Sequence, residues 1–408
     1  AVSRVRDVTL DWRDGKVDRI NEATRRGVQL QLYVDGRYSV ASSSDLRPEA
    51  LEQFIADSVS NTRVLAEDPF RSLPDPALYA GQAKKDLELE DPEYASVTPQ
   101  MRREAAKAME DAARSVKGAD RILSVTSTFN DTRSESFRVH SNGFEGTAER
   151  TSFVTYAEVS VKDPDGRRPE DYAYASVRHL GALPPAEAVG REATKRALSR
   201  LGSQKADSAL YTMVLDPRAG SRLVGAFGGA LSGSALQQKR SFLEGKAGTA
   251  IGSPALDRAA DPLVTRGLAS RRFDGEGIAA RRLPLIEGGV LKNYYIDTYY
   301  GKKLEMAPTT GGRSNLQWQL GPKSQEQLLA EVGDAILVTG FIGGNSNSTT
   351  GDASIGIIGK LFDQGKPVQA VAEMNIADNH LKLWHKLAEV ADDPWPYSRF
   401  RTPSLVFD

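Results

Sequence analysis

Short turn signals between alternating apolar and polar residues constrain the fold of this chain more than any other feature. Asp14-Gly15 and Asp35-Gly36 each separate two alternating runs near the N-terminus. Asp-Gly tolerates the positive φ angles of a two-residue turn, so each pair predicts an antiparallel hairpin. The same signal recurs between residues 121 and 180, at Asn142-Gly143 and Asp165-Gly166. The sequence therefore predicts antiparallel sheets in its first half.

Three long helices are predicted beside these strands. Apolar periodicity and an early proline place them at about residues 48–66, 99–116 and 185–201. Residues 67–97, which separate the first two helices, contain several prolines and the charged run KKDLELEDPE. We interpret this segment as a connector whose charged run is solvent-exposed.

A domain boundary is predicted near residue 205, after LGSQKADS. The N-terminal domain, residues 1–205, would join subregions 1–66 and 98–205 through the connector. Residues 206–408 contain many short strands and glycine turns, which are typical of a barrel or sandwich. The predicted class is α+β, with antiparallel sheets and long helices followed by a mixed, barrel-like domain with short helices. Two of those short helices are expected around 324–332 and 378–388.

The segment RLVGAFGGALSGSAL, residues 222–236, repeats glycine every fourth residue at Gly225, Gly229 and Gly233. Asp216-Pro217 predicts the start of a helix that runs through it. Each glycine costs a helix interior about 1 kcal/mol relative to alanine. The segment matches neither a phosphate-binding loop nor a nucleophile elbow. We interpret it as a buried helix whose glycines allow another backbone to approach closely.

Few residues in the chain could carry catalysis. There is no cysteine, which excludes disulfides, cysteine nucleophiles and thiolate zinc sites. His380 and His385 are five residues apart, about 140° from sharing a helix face, with no acidic residue between them. His140 and His179 lie far away in sequence. We therefore expect structural histidines and no metal site built by this chain alone.

Two polar segments of the C-terminal half leave alternatives open. GGNSNSTTGD, residues 343–352, fits either a long polar turn or a loop that lines a peptide cleft. Asp274 and Glu276 would point to opposite sides of a strand, which favours a surface turn over a paired-carboxylate site. The flanking arginines are expected on a solvated strand pair: Arg271, Arg272, Arg281 and Arg282.

Charge and hydropathy limit the classes of partner. The chain has 53 Lys and Arg against 54 Asp and Glu, so it lacks the basic excess of nucleic-acid-binding proteins. No window approaches the roughly 18 apolar residues of a membrane span, and the first residues carry no apolar signal-peptide stretch. We expect a cytoplasmic protein that binds neither nucleic acid nor membranes.

Several segments, in order, resemble the TldD/PmbA family, also called modulators of DNA gyrase. In the C-terminal half they include ALSGSALQQKRSFLEGKAGTAIGSP, PTTGGRSNL and TGFIGGNSNSTTGDASIG. DGKVDRINEATRRGVQLQLYVDGRYSVASSSDL matches the opening of the family. The resemblance covers nearly the whole chain and implies an α+β N-terminal part followed by a barrel-like domain.

The family has two branches, and the resemblance implies the metal-free one. TldD-like members are similar to zinc peptidases, with an HExxxH motif on a helix and a late cysteine as ligands. PmbA- or TldE-like members lack these ligands and pair with the first branch. In this chain the motif would fall on the helix of residues 222–236, with Gly229 near the second histidine. No histidine or glutamate occurs from residue 216 to 243, and no cysteine anywhere.

The resemblance therefore implies a non-catalytic subunit of a heterodimeric zinc metallopeptidase that acts on unfolded or leader peptides. Catalytic and metal-binding residues and cofactors would be absent from this chain, and zinc would be held by a TldD-like partner that carries HExxxH. A homodimeric peptide-binding or scaffold protein remains an alternative, and so does an enzyme with non-metal chemistry. A backbone-directed peptide channel would be lined by the polar loop, at Asn345, Ser346, Asn347, Thr349 and Thr350.

Overall fold

The N-terminal half is built on one six-stranded antiparallel sheet, in a computed structural model that describes all residues, 1–408. The strand order is β3-β2-β1-β4-β5-β6. Asp14 and Gly15 adopt φ angles of 46° and 84°, so the predicted hairpin turn between the first two strands is confirmed. The strands are β1 (Val2–Arg13), β2 (Lys16–Val34), β3 (Arg37–Ser43), β4 (Ile122–Val139), β5 (Glu145–Val161) and β6 (Glu170–Val177).

Three helices accompany this sheet, as the sequence predicts. They are α1 (Pro48–Arg63), α2 (Pro99–Arg114) and α3 (Ala186–Leu198), and each ends within three residues of the predicted position. The hydroxyl of Thr98 accepts a hydrogen bond from the Met101 amide and caps α2. Helices α2 and α3 pack together on the sheet, where Met109 and Ala193 are completely buried. The N-terminal core therefore lies between a helix pair and one sheet face.

The connector, residues 67–97, contains only short 3-10 turns, at Pro76–Tyr79 and Tyr94–Ser96. Its charged run is not simply solvated, because Leu87 and Asp91 are buried. The Leu87 carbonyl accepts a hydrogen bond from the Arg266 amide at 2.7 Å, which ties the connector to the C-terminal half. The expectation of a solvent-exposed run is therefore wrong for Leu87 and Asp91. The sequence pattern could not show it, because the pairing spans almost 180 positions.

Two open sheets form the C-terminal half. One has six strands in the order β14-β13-β12-β7-β16-β15 and is mixed, since β7 is parallel to β12. The other has four antiparallel strands in the order β10-β9-β8-β11. The predicted α+β class with mixed C-terminal strands is confirmed, although these sheets do not close into a barrel. The strands are β7 (Thr212–Leu215), β8 (Arg258–Asp261), β9 (Leu283–Glu287), β10 (Val290–Leu291), β11 (Asn315–Trp318), β12 (Ala335–Ser346), β13 (Asp352–Asp363), β14 (Lys366–Asn379), β15 (Leu387–Val390) and β16 (Leu405–Phe407).

The glycine-rich segment forms two helices rather than the single one expected. The first ends at Ala230, and the Ser232 hydroxyl accepts a hydrogen bond from the Ala235 amide to begin the next. The first amides of a helix have no carbonyl partner within that helix, and a serine N-cap supplies one of them with an acceptor. In a single continuous helix the Ala235 amide would need no such partner. None of the eight helices is long and apolar enough to cross a membrane. The C-terminal helices are α4 (Pro217–Ala230), α5 (Gly233–Gln237), α6 (Thr298–Leu304), α7 (Gln325–Val332) and α8 (His380–His385).

Helix α6 is absent from the sequence-based prediction. Its sequence, TYYGKKL, begins with residues that favour strands, so composition alone suggested a β segment. The Asp297 carboxylate accepts a hydrogen bond from the Tyr300 amide at 2.7 Å and starts the helix. This N-cap outweighs the strand preference of the residues and determines the local structure.

The contact between α2 and α3 gives a test of the fold. A Cβ at Gly190 would overlap the backbone carbonyl of Met109. Gly190→Ala should therefore lower the free energy of unfolding by about 1–3 kcal/mol, despite the better helix propensity of alanine. Denaturant unfolding measures this change. In the matched control, Gly181→Ala, the Cβ meets no atom within 4 Å, and stability should stay within about 0.5 kcal/mol. Equal effects of the two substitutions would contradict the predicted packing.

Candidate functional site

Helix α4 presents two different faces. Its apolar face buries Leu223, Val224 and Phe227 in the C-terminal core. On the opposite face Gly225 and Gly229 are only half-buried. The helix therefore anchors itself through one side, while on its other side the turns beyond the exposed Arg222 carry no side chain larger than that of Ala226.

The glycines on that outer face leave space rather than a tight contact. A Cβ at Gly225 would come no closer than 3.9 Å to another residue, at Phe400, and a Cβ at Gly229 no closer than 3.8 Å, at Arg313. The interpretation that these glycines admit a neighbouring backbone is therefore wrong for both positions. Gly233 in α5 does fill a tight contact, but with a side chain, because a Cβ there would lie 2.8 Å from the Cβ of Tyr300.

The polar loop of residues 343–352 lies along one side of this helix. The guanidinium of Arg222, on the outer face of α4, donates a hydrogen bond to the Gly343 carbonyl. The Ser348 carbonyl accepts a hydrogen bond from the Phe242 amide at 2.9 Å. Arg313 and Phe400 flank the helix elsewhere. We call the half-buried outer face of α4, between the loop and these two side chains, the glycine strip; it is formed by Gly225, Ala226 and Gly229.

The loop uses only part of its hydrogen-bonding capacity internally. The Asn347 side-chain oxygen accepts hydrogen bonds from the Thr349 and Thr350 amides at 2.9 and 3.3 Å. The Thr350 hydroxyl donates to Asp352. The side chains of Asn345 and Thr349 make no hydrogen bond within the chain and are exposed. Donors and acceptors beside the glycine strip are thus available to a ligand, and the role of these loop residues in a peptide channel stays a prediction.

Ser346 and His380 form a pair that sequence reasoning missed. The Ser346 hydroxyl lies 2.9 Å from His380 Nε2, across 34 positions of sequence. The His380 ring is fully buried and stacks on Phe242, with ring centroids 5.4 Å apart, and burial lowers the pKa of His380. Its Nδ1 has no hydrogen-bond partner. Because no third group orients the imidazole, we interpret the pair as a loop anchor rather than a nucleophile with its base.

The other histidines have separate structural partners. His140 Nδ1 lies 3.1 Å from the Tyr79 hydroxyl, and His179 Nε2 lies 2.9 Å from the Glu88 carbonyl. His385 is exposed at the end of α8. No group of three or more His, Cys, Asp or Glu side chains is placed to hold a metal ion.

Asp274 and Glu276 lie at the expected turn, which is closed by a hydrogen bond from the Gly277 amide to the Asp274 carbonyl at 3.1 Å, but their carboxylates are not solvated. Asp274 is 4% exposed and accepts hydrogen bonds from the Ile278 amide and the Thr310 hydroxyl. Glu276 accepts hydrogen bonds from the amide and hydroxyl of Thr298, and burial raises the pKa of Glu276. Both carboxylates hold loops together, an outcome that depends on partners far away in sequence.

The neighbouring arginines differ in solvent exposure, although all four were expected to be solvated. Arg272, Arg281 and Arg282 are exposed. Arg271 is not, because its guanidinium donates to the carbonyls of Gly312 and Arg313, and burial lowers the pKa of Arg271. The prediction of a solvated strand pair is therefore wrong for Arg271.

A cavity of about 820 Å³ separates the connector from β5 and the C-terminal half. Acidic and basic groups alternate around it, and several are already paired, as Arg266 is with Glu88 at 2.6 Å. Glu149 hydrogen-bonds Glu90, which raises the pKa of Glu149. We interpret the cavity as a hydrated seam held by ion pairs. The charged residues that line it are Asp86, Glu88, Glu90, Asp91, Glu93, Glu149, Arg150, Arg266, Arg271 and Arg272.

Comparison with known proteins identifies the fold. Models of the PmbA/TldA metallopeptidase family match three parts of the chain in order: domain 1 at residues 1–62, the central domain at 92–201 and the C-terminal domain at 208–408. The chain belongs to the PmbA/TldD family. This finding confirms the resemblance read from the sequence motifs.

Relatives match along the whole length of this family member. The metalloprotease PmbA of Escherichia coli O157:H7 is 29% identical over 100% of this chain and 90% of the relative. The crystal structure of a proposed modulator of DNA gyrase from Bacteroides thetaiotaomicron is 40% identical, with a TM-score of 0.96 over 100% of this chain and 92% of that one. TldE from Thermococcus kodakarensis shares the fold, at 20% identity and a TM-score of 0.85, over 100% of this chain and 94% of that one.

The buried histidine predicts a pH dependence of stability. Because the pKa of His380 is lowered in the folded state, the unfolded chain binds its proton more readily. Stability should therefore fall as the pH drops through the unfolded value of about 6.5. His380→Phe should remove part of this loss of stability at low pH. The measurement is the thermal midpoint of unfolding at several pH values between about 5 and 8. The exposed control, His385→Gln, should retain it. A pH profile unchanged by His380→Phe would contradict the assignment.

Proposed function

We propose that this chain is the non-catalytic subunit of a two-subunit peptidase of the PmbA/TldD family. Its partner would be a TldD-like chain with HExxxH, which holds zinc and activates the attacking water. The observation that carries the proposal is the surface of α4. This helix stands where the family resemblance places the metal motif, and it offers a glycine strip instead of ligands.

The glycine strip supports a role in holding peptide. Its outer face has almost no side chains, so an extended main chain could lie against it without steric conflict. The exposed side chains of Asn345 and Thr349 lie in the neighbouring loop and have no internal partners. Hydrogen bonds directed at a peptide backbone give affinity that depends little on sequence. Such a surface suits unfolded peptides or leader segments, which the partner would cut.

The family membership and the likeness to TldE also support the two-subunit interpretation. The family's name concerns metallopeptidases, whereas this chain has no histidine or glutamate between residues 216 and 243. A chain that keeps the fold without the motif fits a supporting subunit, which completes a channel and stabilises the active partner. A homodimeric peptide-binding protein is the competing outcome.

Mixing the two subunits tests this proposal. The chain alone should not cleave an unstructured fluorogenic peptide. Adding the HExxxH-bearing paralogue of the same genome should raise the rate at least tenfold above the paralogue alone. Cleavage by this chain alone, or a mixture no faster than the paralogue, would overturn the assignment.

A substitution in the glycine strip sharpens the test. Gly225→Leu places a side chain on the strip, where only Phe400 lies within 4 Å, so the fold should survive. We expect the mixture to lose at least fivefold in peptide turnover because the peptide path is narrowed. The control is Ala56→Leu, at an exposed position of α1. Equal rates for the two variants would show that peptide does not use this strip.

A further inference from the structure

One buried arginine lies behind the glycine strip without a counterion. Arg258 on β8 is only 1% exposed, and none of its three guanidinium nitrogens has a hydrogen-bond partner. Aromatic rings surround it, with the guanidinium carbon 4.6 Å from the Phe227 ring centre and 5.6 and 5.7 Å from those of Trp318 and Trp384. Burial lowers the pKa of Arg258 to about 10, so it remains charged at neutral pH.

An unpartnered charge at this depth is costly. Cation–π contacts with the rings offset part of the desolvation penalty, but each N–H donor left without an acceptor still costs about 1–3 kcal/mol. A salt bridge usually compensates such a group, yet no carboxylate pairs with Arg258. Buried polar groups of this kind often mark a binding site, where stability is sacrificed for function.

Other donors line the same small cavity, whose free volume of about 10 Å³ admits one water-sized group. Arg313 and Tyr295 line it together with Arg258 and Gly228. The side chain of Arg313 makes no ion pair or hydrogen bond, and it lies 3.6 Å from where a Cβ of Gly228 would stand. The Tyr295 hydroxyl likewise has no hydrogen-bond partner. Three donors therefore face a space whose lining contains no carboxylate.

The electrostatic surroundings are positive. Arg258, Arg313, Arg271 and Arg399 all act on Tyr295 in the direction that lowers its pKa, although burial raises that pKa overall. Asp274 acts on Arg271 as an opposing charge, whereas no carboxylate is among the groups that shift the pKa of Arg258 or Arg313. Two guanidinium forks and a phenol hydroxyl match the oxygens of a carboxylate, which accepts paired N–H donors.

We propose that this cavity receives one oxygen of a carboxylate group of the peptide that lies along the glycine strip. The peptide nature of this ligand rests on the proposed function, whereas the preference for an anion rests on the arginines alone. Arg313 lines the cavity and lies against both Gly228 and Gly229, so the cavity adjoins the strip at Gly229. The carboxylate could be the chain terminus or the side chain of an acidic residue.

Binding to the isolated chain tests the proposal without any peptidase partner. The probe is an N-acetylated pentapeptide of alanine and serine, prepared with a free C-terminal carboxylate and as the amide. Titration calorimetry gives the affinities, and the fluorescence of the two tryptophans beside Arg258 reports occupancy. We expect the free acid to bind at least tenfold more tightly than the amide. Equal affinities for acid and amide would overturn the proposal.

Variants separate a binding role from a structural one. Arg258→Met and Arg313→Gln should each abolish the preference for the free acid, while the exposed control Arg282→Gln should retain it. Since Arg258→Met removes an unpaired buried charge, its thermal midpoint should equal or exceed that of the native chain. A lower midpoint together with an unchanged preference for the acid would show that Arg258 is structural.

Two further ligands identify the source of the carboxylate. The first ligand is the amide peptide with one internal glutamate. If it binds as tightly as the free acid, the site recognises acidic side chains; if it binds as weakly as the plain amide, the site recognises chain termini. Either result supports the proposal. Acetate alone binding as tightly as the free-acid peptide would overturn the peptide assignment. These binding assays need no partner subunit. The carboxylate site can therefore be supported even if the mixing experiment shows no peptidase, and it can be refuted even if the mixture cleaves peptide.

Discussion

Burial of the apolar face of α4 is the interaction on which the rest of the C-terminal half depends. Leu223, Val224 and Phe227 enter a core of 34 buried residues that draws on both C-terminal sheets. At about 1.5–3 kcal/mol for each fully buried large side chain, this face outweighs the cost of the glycines on the other side. The helix therefore tolerates an outer face that carries no side chain larger than that of Ala226 beyond Arg222, and that surface determines the functional interpretation.

The same core holds a group that does not stabilise it. Phe227 packs both into the core and against the guanidinium of Arg258, which has no counterion. A hydrophobic residue at this position would remove a desolvation penalty, so the arginine is hard to explain by stability alone. The two unusual features of α4 therefore lie on its opposite faces: a smooth outer face for a main chain, and a positive charge packed against the buried face.

Local sequence signals predicted much of this fold but little of the site. The Asp14-Gly15 turn and the Thr98 cap are decided by neighbouring residues, so the hairpins and long helices could be read directly. Asp216-Pro217 located the start of α4 in the same way. Apolar periodicity did not predict the break between α4 and α5. The apolar spacing is continuous across this segment, and the break is set by the N-cap at Ser232. The Ser346–His380 pair and the buried Asp274 depend on long-range contacts, which no local pattern reveals.

The central claim is that this chain holds peptide and leaves the zinc to its partner. The zinc content of the purified chain and of its complex with the HExxxH-bearing paralogue, determined by elemental analysis after dialysis, tests it most directly. The account predicts one zinc per complex and substoichiometric zinc in the isolated chain. One tightly bound zinc per isolated chain would contradict it, because the chain would then build a metal site of its own.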